Sequence, residues 1–330
     1  MKAKRILFST IIASIGIICI FIMNTRFDAL ARYAWYGDLT EQQKTIIYKE
    51  LDSKALNYII DYSIAPAFFM DFIELADFNI YSIADYRRVY DEYQYRLSRE
   101  QTISLVNLFQ EKKIKIDTLY QALSSDYSLE EIYFYLDYYE AGVDLVSNPR
   151  DYLLELSEKN TLGNYQPKTL VLVEGIPQTN PEEEIFLEQQ VAESLTAMCS
   201  ALKEEFETPC GGLKLKLGYL SFDALTEIQS NYNQSYYGDY PQFYLPGSSY
   251  FQLGVSVLFS QTEEPDDWFT DPVIQWLWEN AHTYKFSLPI PPSEEGCDIW
   301  EGYPYYYRYI GVEQDWKEYD TAEGSNVCGV

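Results

Sequence analysis

Histidine is almost missing from this chain of 330 residues, in which His282 is the only imidazole. A serine-hydrolase triad needs an imidazole between nucleophile and carboxylate, and no Gly-x-Ser-x-Gly elbow is present to seat the nucleophile, so that class finds no support. Nor does His282 have a histidine or cysteine near it in sequence with which to share a zinc ion, and it reads as a structural or surface residue. Cysteine is scarce too: there are five, and no Cys-x-x-Cys pair that would build a thiolate metal site or a redox motif. Basic residues are few, 24 against 51 acids, for a net charge of −27. With no basic cluster outside the N-terminus, the chain cannot neutralise phosphates, which excludes nucleic acid as a partner.

Aromatic residues, by contrast, are plentiful. The chain has 32 tyrosines and an aromatic share of 17%, which predicts aromatic-rich cores, and 47% hydrophobic with 23% charged residues is a globular composition. The length suits about two domains. Residues 6–23 carry no charge and follow Lys2, Lys4 and Arg5, the pattern of a signal peptide or of a short membrane-spanning helix. The segment after the run, Phe21-Ile22-Met23-Asn24-Thr25-Arg26, lacks the small residues of a cleavage site. The reading is therefore an uncleaved anchor at 1–25, a single-pass location in the cell membrane and an extracytoplasmic bulk, with cleavage the open alternative. Beyond this segment lie Cys199, Cys210, Cys297 and Cys328. Three pairings are possible; nearness in sequence favours Cys199 with Cys210 and Cys297 with Cys328, and free buried thiols stay open as the alternative.

Between 26 and 148 the pattern is of short helices. Apolar residues recur at helical spacing in Ile46, Ile47 and Leu51, then in Leu56, Ile59 and Ile60, and in Ile103, Val106 and Leu108. Thr40 with Gln43, Ser98 with Gln101 and Ser128 with Glu131 have the spacing of capping boxes. Asn148-Pro149 breaks this text, and a second domain is expected over 149–330. There, 169–173 reads as an extended run. Pro181 with Glu182, Glu183 and Glu184 reads as a helix start leading to a face of Leu195, Met198, Leu202 and Phe206. Leu213, Leu215, Leu217 and Tyr219 alternate with Lys214, Lys216 and Gly218 as in a half-buried strand. Further strands are expected over 250–259 and 305–312, with a helix over 272–284. The fold class is thus α+β, a small helical domain followed by a mainly antiparallel sheet flanked by helices.

Four passages of the second domain resemble the VanY-type D-alanyl-D-alanine carboxypeptidases of peptidase family M15. One is the segment 156–170 with Asn160, Leu162, Tyr165, Pro167 and Leu170. Another is 195–221, where Leu217-Gly218-Tyr219-Leu220-Ser221 stands for the family's Ser-Gly-Tyr-Arg-Ser. A third is Pro246-Gly247-Ser248-Ser249-Tyr250-Phe251-Gln252-Leu253-Gly254, similar to Pro-Gly-x-Ser-Glu-His-Gln-x-Gly. The last comprises Asn280-Ala281-His282 with Tyr284 and the strand ending Arg308-Tyr309-Ile310-Gly311. Together they cover about half of the chain and imply a carboxypeptidase-like domain.

The resemblance also implies where zinc chemistry would sit. Carried over by position, the three zinc ligands fall on Phe251, Leu258 and Tyr306, the glutamate base on Tyr303 and the arginine clamp on Leu220. Phenyl and isobutyl groups have no lone pair for a metal, so no zinc, and no other cofactor, is expected. The resulting expectation is a chain that is not an enzyme and that binds a cell-envelope protein. Peptidoglycan binding without hydrolysis is the first alternative, and an active D-alanyl-D-alanine carboxypeptidase acting on stem peptides the second. Tyr236, Tyr237, Tyr240, Phe243 and Tyr244 form the candidate binding rim, for which a packed aromatic loop is the plainer explanation. The acidic runs Glu263-Glu264-Pro265-Asp266-Asp267 and Glu294-Glu295 match no calcium loop and read as solvated.

Overall fold

The computed structural model describes residues 14–19, 28–157, 159–235, 244–261, 270–288 and 305–314. Of the apolar N-terminal run only 14–19 lies among them, and it is helical. A membrane span needs about 20 apolar residues in register, and among the described residues no helix is long and apolar enough to cross a membrane. That corrects the expected membrane anchor and single-pass location.

The chain divides into two compact units, Met1–Ile116 and Asp117–Val330. The first is helical: α1 (Glu41–Glu50), α2 (Ser53–Asp61), α3 (Pro66–Phe69), α4 (Ile83–Tyr93) and α5 (Arg99–Glu111). Two of the three capping boxes read from sequence start α1 and α5, where Thr40 and Ser98 each accept from the backbone of a glutamine that reaches back to them. Buried Phe69, Phe72, Tyr86, Val89 and Phe109 form the centre of this unit.

The second unit begins earlier than the break at Asn148-Pro149, because α6 (Ile116–Ser124) and α7 (Leu129–Asp137) lead into contacts with the segment after it. Tyr127 packs edge-on to Tyr165 at 5.2 Å, the Lys168 ammonium reaches the Asp126 carboxylate at 2.9 Å, and Glu131 accepts from the Gln166 amide. Two small ladders follow: β1 (Asp144–Leu145) parallel to β2 (Asn160–Thr161), and β3 (Leu170–Leu172) antiparallel to β4 (Phe186–Glu188). The long helix α8 (Gln189–Phe206) starts later than expected, since the Glu188 carboxylate caps it and Pro181 lies outside it. The Cys199–Cys210 disulfide ties its last turns to the Pro209–Gly212 corner, as sequence nearness favoured; Cys297 and Cys328 fall outside the described residues. Then come β5 (Lys214–Leu217), α9 (Phe222–Ser235), β6 (Ser256–Ser260), α10 (Pro272–Asn280), β7 (Phe286–Ser287) and β8 (Tyr306–Tyr309). The four strands β5-β6-β8-β7 form one antiparallel sheet, which with its flanking helices gives the α+β architecture expected. Residues 250–255 precede β6 as turns and not as strand.

Charge is divided unequally. Met1–Ile116 holds 15 bases and 14 acids, Asp117–Val330 only 9 bases and 37 acids, so the second unit carries −28.

Candidate functional site

Strand pairing sets Leu258 opposite Tyr306 and Ser256 opposite Arg308. Alternation along β6 and β8 therefore puts these four side chains on one face of the sheet. On the other face Val257, Phe259 and Tyr307 are core, with the Phe259 and Tyr307 rings 6.3 Å apart. The turns before β6 deliver Phe251 to the first face, fully buried, with its ring 5.3 Å from Tyr306. Its carbonyl accepts the Leu220 amide at 3.2 Å. Four of the five positions singled out from sequence, Leu220, Phe251, Leu258 and Tyr306, thus meet in one place, while Tyr303 lies outside the described residues.

What holds this floor together is packing. Tyr244 lies almost parallel to Phe251, at 5.6 Å and 15°. Tyr306 is 2% exposed, and its hydroxyl pairs with the buried Ser256 hydroxyl at 3.1 Å. Burial drives the Tyr306 phenol well above its ordinary range, and neither the Ser256 bond nor the Arg308 charge offsets it. A zinc ion needs about three nitrogen, oxygen or thiolate donors at close range. Phe251 and Leu258 supply none and Tyr306 is held as a neutral phenol, so these residues do not fit zinc. Among the described residues no group of three His, Cys, Asp or Glu is placed to hold a metal, and half-buried His282 sits on the turn after α10.

The frame around the floor is polar and fully specified. Gln252 has no exposed surface; its amide nitrogen donates to the Gly163 carbonyl at 2.9 Å and the Tyr165 carbonyl at 3.1 Å, while its carbonyl accepts the Gly247 amide at 2.9 Å. This one side chain locks the turn to the segment entering the unit. Gly247, at φ +79°, lies so close to that segment that a Cβ would stand 2.6 Å from the Thr161 hydroxyl, and one at Gly254, at φ +67°, would stand 2.8 Å from Leu170. Arg308 donates to the Tyr152 and Leu154 carbonyls at 2.8 and 2.5 Å and lies 3.7 Å over the Tyr250 ring. Tyr250 in turn accepts the Leu156 amide at 3.1 Å.

The sequence reading assigned no role to Gln252, Ser256 or Arg308. The only signal was that Gln252 and Arg308 stand inside the quoted motifs. Of the candidate rim, Tyr236, Tyr237, Tyr240 and Phe243 lie outside the described residues, whereas Tyr244 gives a ring face to Phe251.

No family model matches the chain. The "Putative carboxypeptidase YodJ" of Bacillus subtilis (strain 168) is 28% identical over 201 residues, which span 57% of this chain and 70% of that protein. The chain is similar to the M15-type carboxypeptidases. Among solved structures, the LdcB LD-carboxypeptidase, described for its peptidoglycan recognition, has 23% identity and a TM-score of 0.42 over 52% of this chain and 82% of its own. The vancomycin-resistance D,D-pentapeptidase VanY with Zn(II) has 19% identity and a TM-score of 0.34 over 53% and 96%. The expectation that the chain is not an enzyme is corrected by the curated relative, which is named as a carboxypeptidase. What the packed floor decides is narrower than activity: which atoms occupy the positions carried over from the zinc site.

Proposed function

We propose that the second unit recognises peptidoglycan, using a carboxypeptidase-like scaffold in which buried, packed side chains occupy the positions carried over from the zinc site. The observation that carries this reading is the contrast around Phe251. The scaffold contacts of Gln252, Gly247 and Arg308 are intact and hydrogen-bonded, while Phe251, Leu258 and Tyr306 fill the volume between them. The resemblance of the motif residues to the D-alanyl-D-alanine carboxypeptidases supports peptidoglycan as the partner, and the similarity to a named carboxypeptidase agrees with that resemblance. Leu220 offers no charge to a terminal carboxylate of a stem peptide, and Arg308 is engaged by two carbonyls and a ring, so the reading favours contacts away from that carboxylate. The alternative partner, an envelope protein bound through the aromatic rim, rests on Tyr236, Tyr237, Tyr240 and Phe243, which lie outside the described residues, and on Tyr244, whose ring is stacked on Phe251. Hydrolysis by the same unit is a second reading, favoured by the relative's name; its acid and base would be groups other than Phe251, Leu258 and Tyr306.

The test uses the full chain. Cosedimentation with purified sacculi is measured with and without added zinc, and D-alanine release from a stem pentapeptide is followed in the same preparation. Binding without added zinc is the expected result, and failure to bind sacculi sinks the proposal. Release that rises with zinc moves the assignment to hydrolysis and means that the positional correspondence is shifted.

A further inference from the structure

Away from the floor, the second unit has an open groove of about 530 Å³ between the first turns of α8, the Thr169 and Glu188 ends of β3 and β4, and Lys285 before β7. Tyr309 lies at its base, 2% exposed. By alternation along β8, Tyr309 shares the face of Tyr307 and not that of Tyr306 and Arg308, so the groove and the floor are separate. One wall of the groove is already satisfied. The Glu188 carboxylate accepts from the Tyr152 hydroxyl and the Gln190 amide at 2.8 Å each and from the Thr169 hydroxyl at 3.2 Å. Two charged groups keep capacity to spare. Glu193, exposed on α8, accepts through one of its oxygens from the Gln189 side-chain amide at 3.0 Å. Lys285 is half-buried, its backbone held by the His282 carbonyl at 2.8 Å and the Ile310 amide at 2.9 Å. Its ammonium makes no hydrogen bond or ion pair among the described residues, in a unit of 37 acids and 9 bases. A cation and a carboxylate therefore line one groove without pairing with each other.

We propose that this groove binds the zwitterionic head of an α-amino acid, its carboxylate on Lys285 and its ammonium on Glu193. The two charges select the ligand class. A lone anion would gain Lys285 but face Glu188 and Glu193; a lone cation would gain Glu193 but face Lys285; a neutral sugar would leave both charges without a partner. An amino-acid head carries both signs on one carbon and answers both groups. The uncharged groups around them, on Thr169, Gln190 and Ser194, offer hydrogen bonds to a polar side chain, and the volume is that of a small-molecule site.

The experiment titrates the full chain with DL-glutamine by ligand-observed NMR, with acetate and methylammonium as the two half-ligands. Glutamine is expected to bind with a dissociation constant of about 1–10 mM, and each half-ligand at least about threefold more weakly. Lys285→Met and Glu193→Gln should each weaken glutamine about threefold to tenfold, and Lys285→Arg should keep most of the affinity. An unchanged melting temperature in all three variants separates a lost contact from a disturbed turn. Absence of glutamine binding up to about 50 mM overturns the site. A half-ligand that binds as well as glutamine, or glutamine affinity indifferent to both Lys285→Met and Glu193→Gln, overturns it equally. Sacculi binding is expected to be the same in the variants and the native chain, so the groove can fail without the recognition reading failing.

Discussion

The frame around Gln252 and the floor around Phe251 lie side by side and obey different rules. The frame is made of hydrogen bonds that need particular atoms at particular places: an amide that both donates and accepts, and a guanidinium with two carbonyls. The floor is made of two stacked rings, a leucine and one hydroxyl pair, and it needs little more than volume. Frame residues therefore tolerate almost no change, whereas the floor accepts any side chains that fill the space. A buried polar group without a partner costs about 1–3 kcal/mol each, and a volume-conserving apolar exchange usually less than about 1.5 kcal/mol.

The strongest test of this contrast converts the floor. F251H, L258D and Y306H together place nitrogen and oxygen donors where rings and a leucine now pack. The apo variant should lose several kcal/mol of stability, about, by burying unpaired polar groups, and recover it on adding zinc with stoichiometric uptake. Uptake of no zinc by a folded variant would refute the positional correspondence. Next in size, Gln252→Met keeps the volume but strands the Gly247 amide and the Gly163 and Tyr165 carbonyls; a loss of about 3–5 kcal/mol is expected by denaturant unfolding. Phe251→Leu should cost about 1–2 kcal/mol in the same assay, and a cost equal to that of Gln252→Met would erase the distinction between frame and floor. Tyr306→Phe removes the hydroxyl pair with Ser256, for which about 1 kcal/mol is expected.

The smallest effect concerns pH. Burial tends to raise the Asp126 carboxyl, but Lys168 and Arg150 outweigh it and hold it below the ordinary 3.8. A depressed folded value means stability that is present in full above that ordinary value and is lost as pH falls through the lower folded one. Both cations are largely exposed, so Asp126→Asn should cost no more than about 1 kcal/mol near neutrality, with the difference from the native chain vanishing in acid.

The glycines of the frame were legible in the sequence, whereas the roles of Gln252 and Arg308 were not. Pro246-Gly247 and Gln252-Leu253-Gly254 stand at motif spacing because the close approach at Gly247 admits no Cβ, a demand that leaves a mark at one position. Legibility failed where the deciding contact was distant. Nothing local distinguishes Pro181 with its glutamates from a helix start; Phe186–Glu188 pairs with Leu170–Leu172, which delays the helix to Gln189. The apolar N-terminal run likewise reads as a span by composition, but no membrane-spanning helix stands among the described residues.

By itself, then, the sequence determined what depends on near neighbours and on composition: the capping boxes at Thr40, Ser98 and Ser128, the favoured Cys199–Cys210 pairing, the α+β class and the excess of acidic residues. Only the tertiary structure decided what depends on residues far apart in the chain meeting. It brought Leu220, Phe251, Leu258 and Tyr306 together, turned Tyr244 onto Phe251 and joined α7 to the second unit. The physical reason is that capping and charge act over a few residues or through simple sums. A packed floor exists only once strands 50 residues apart have paired.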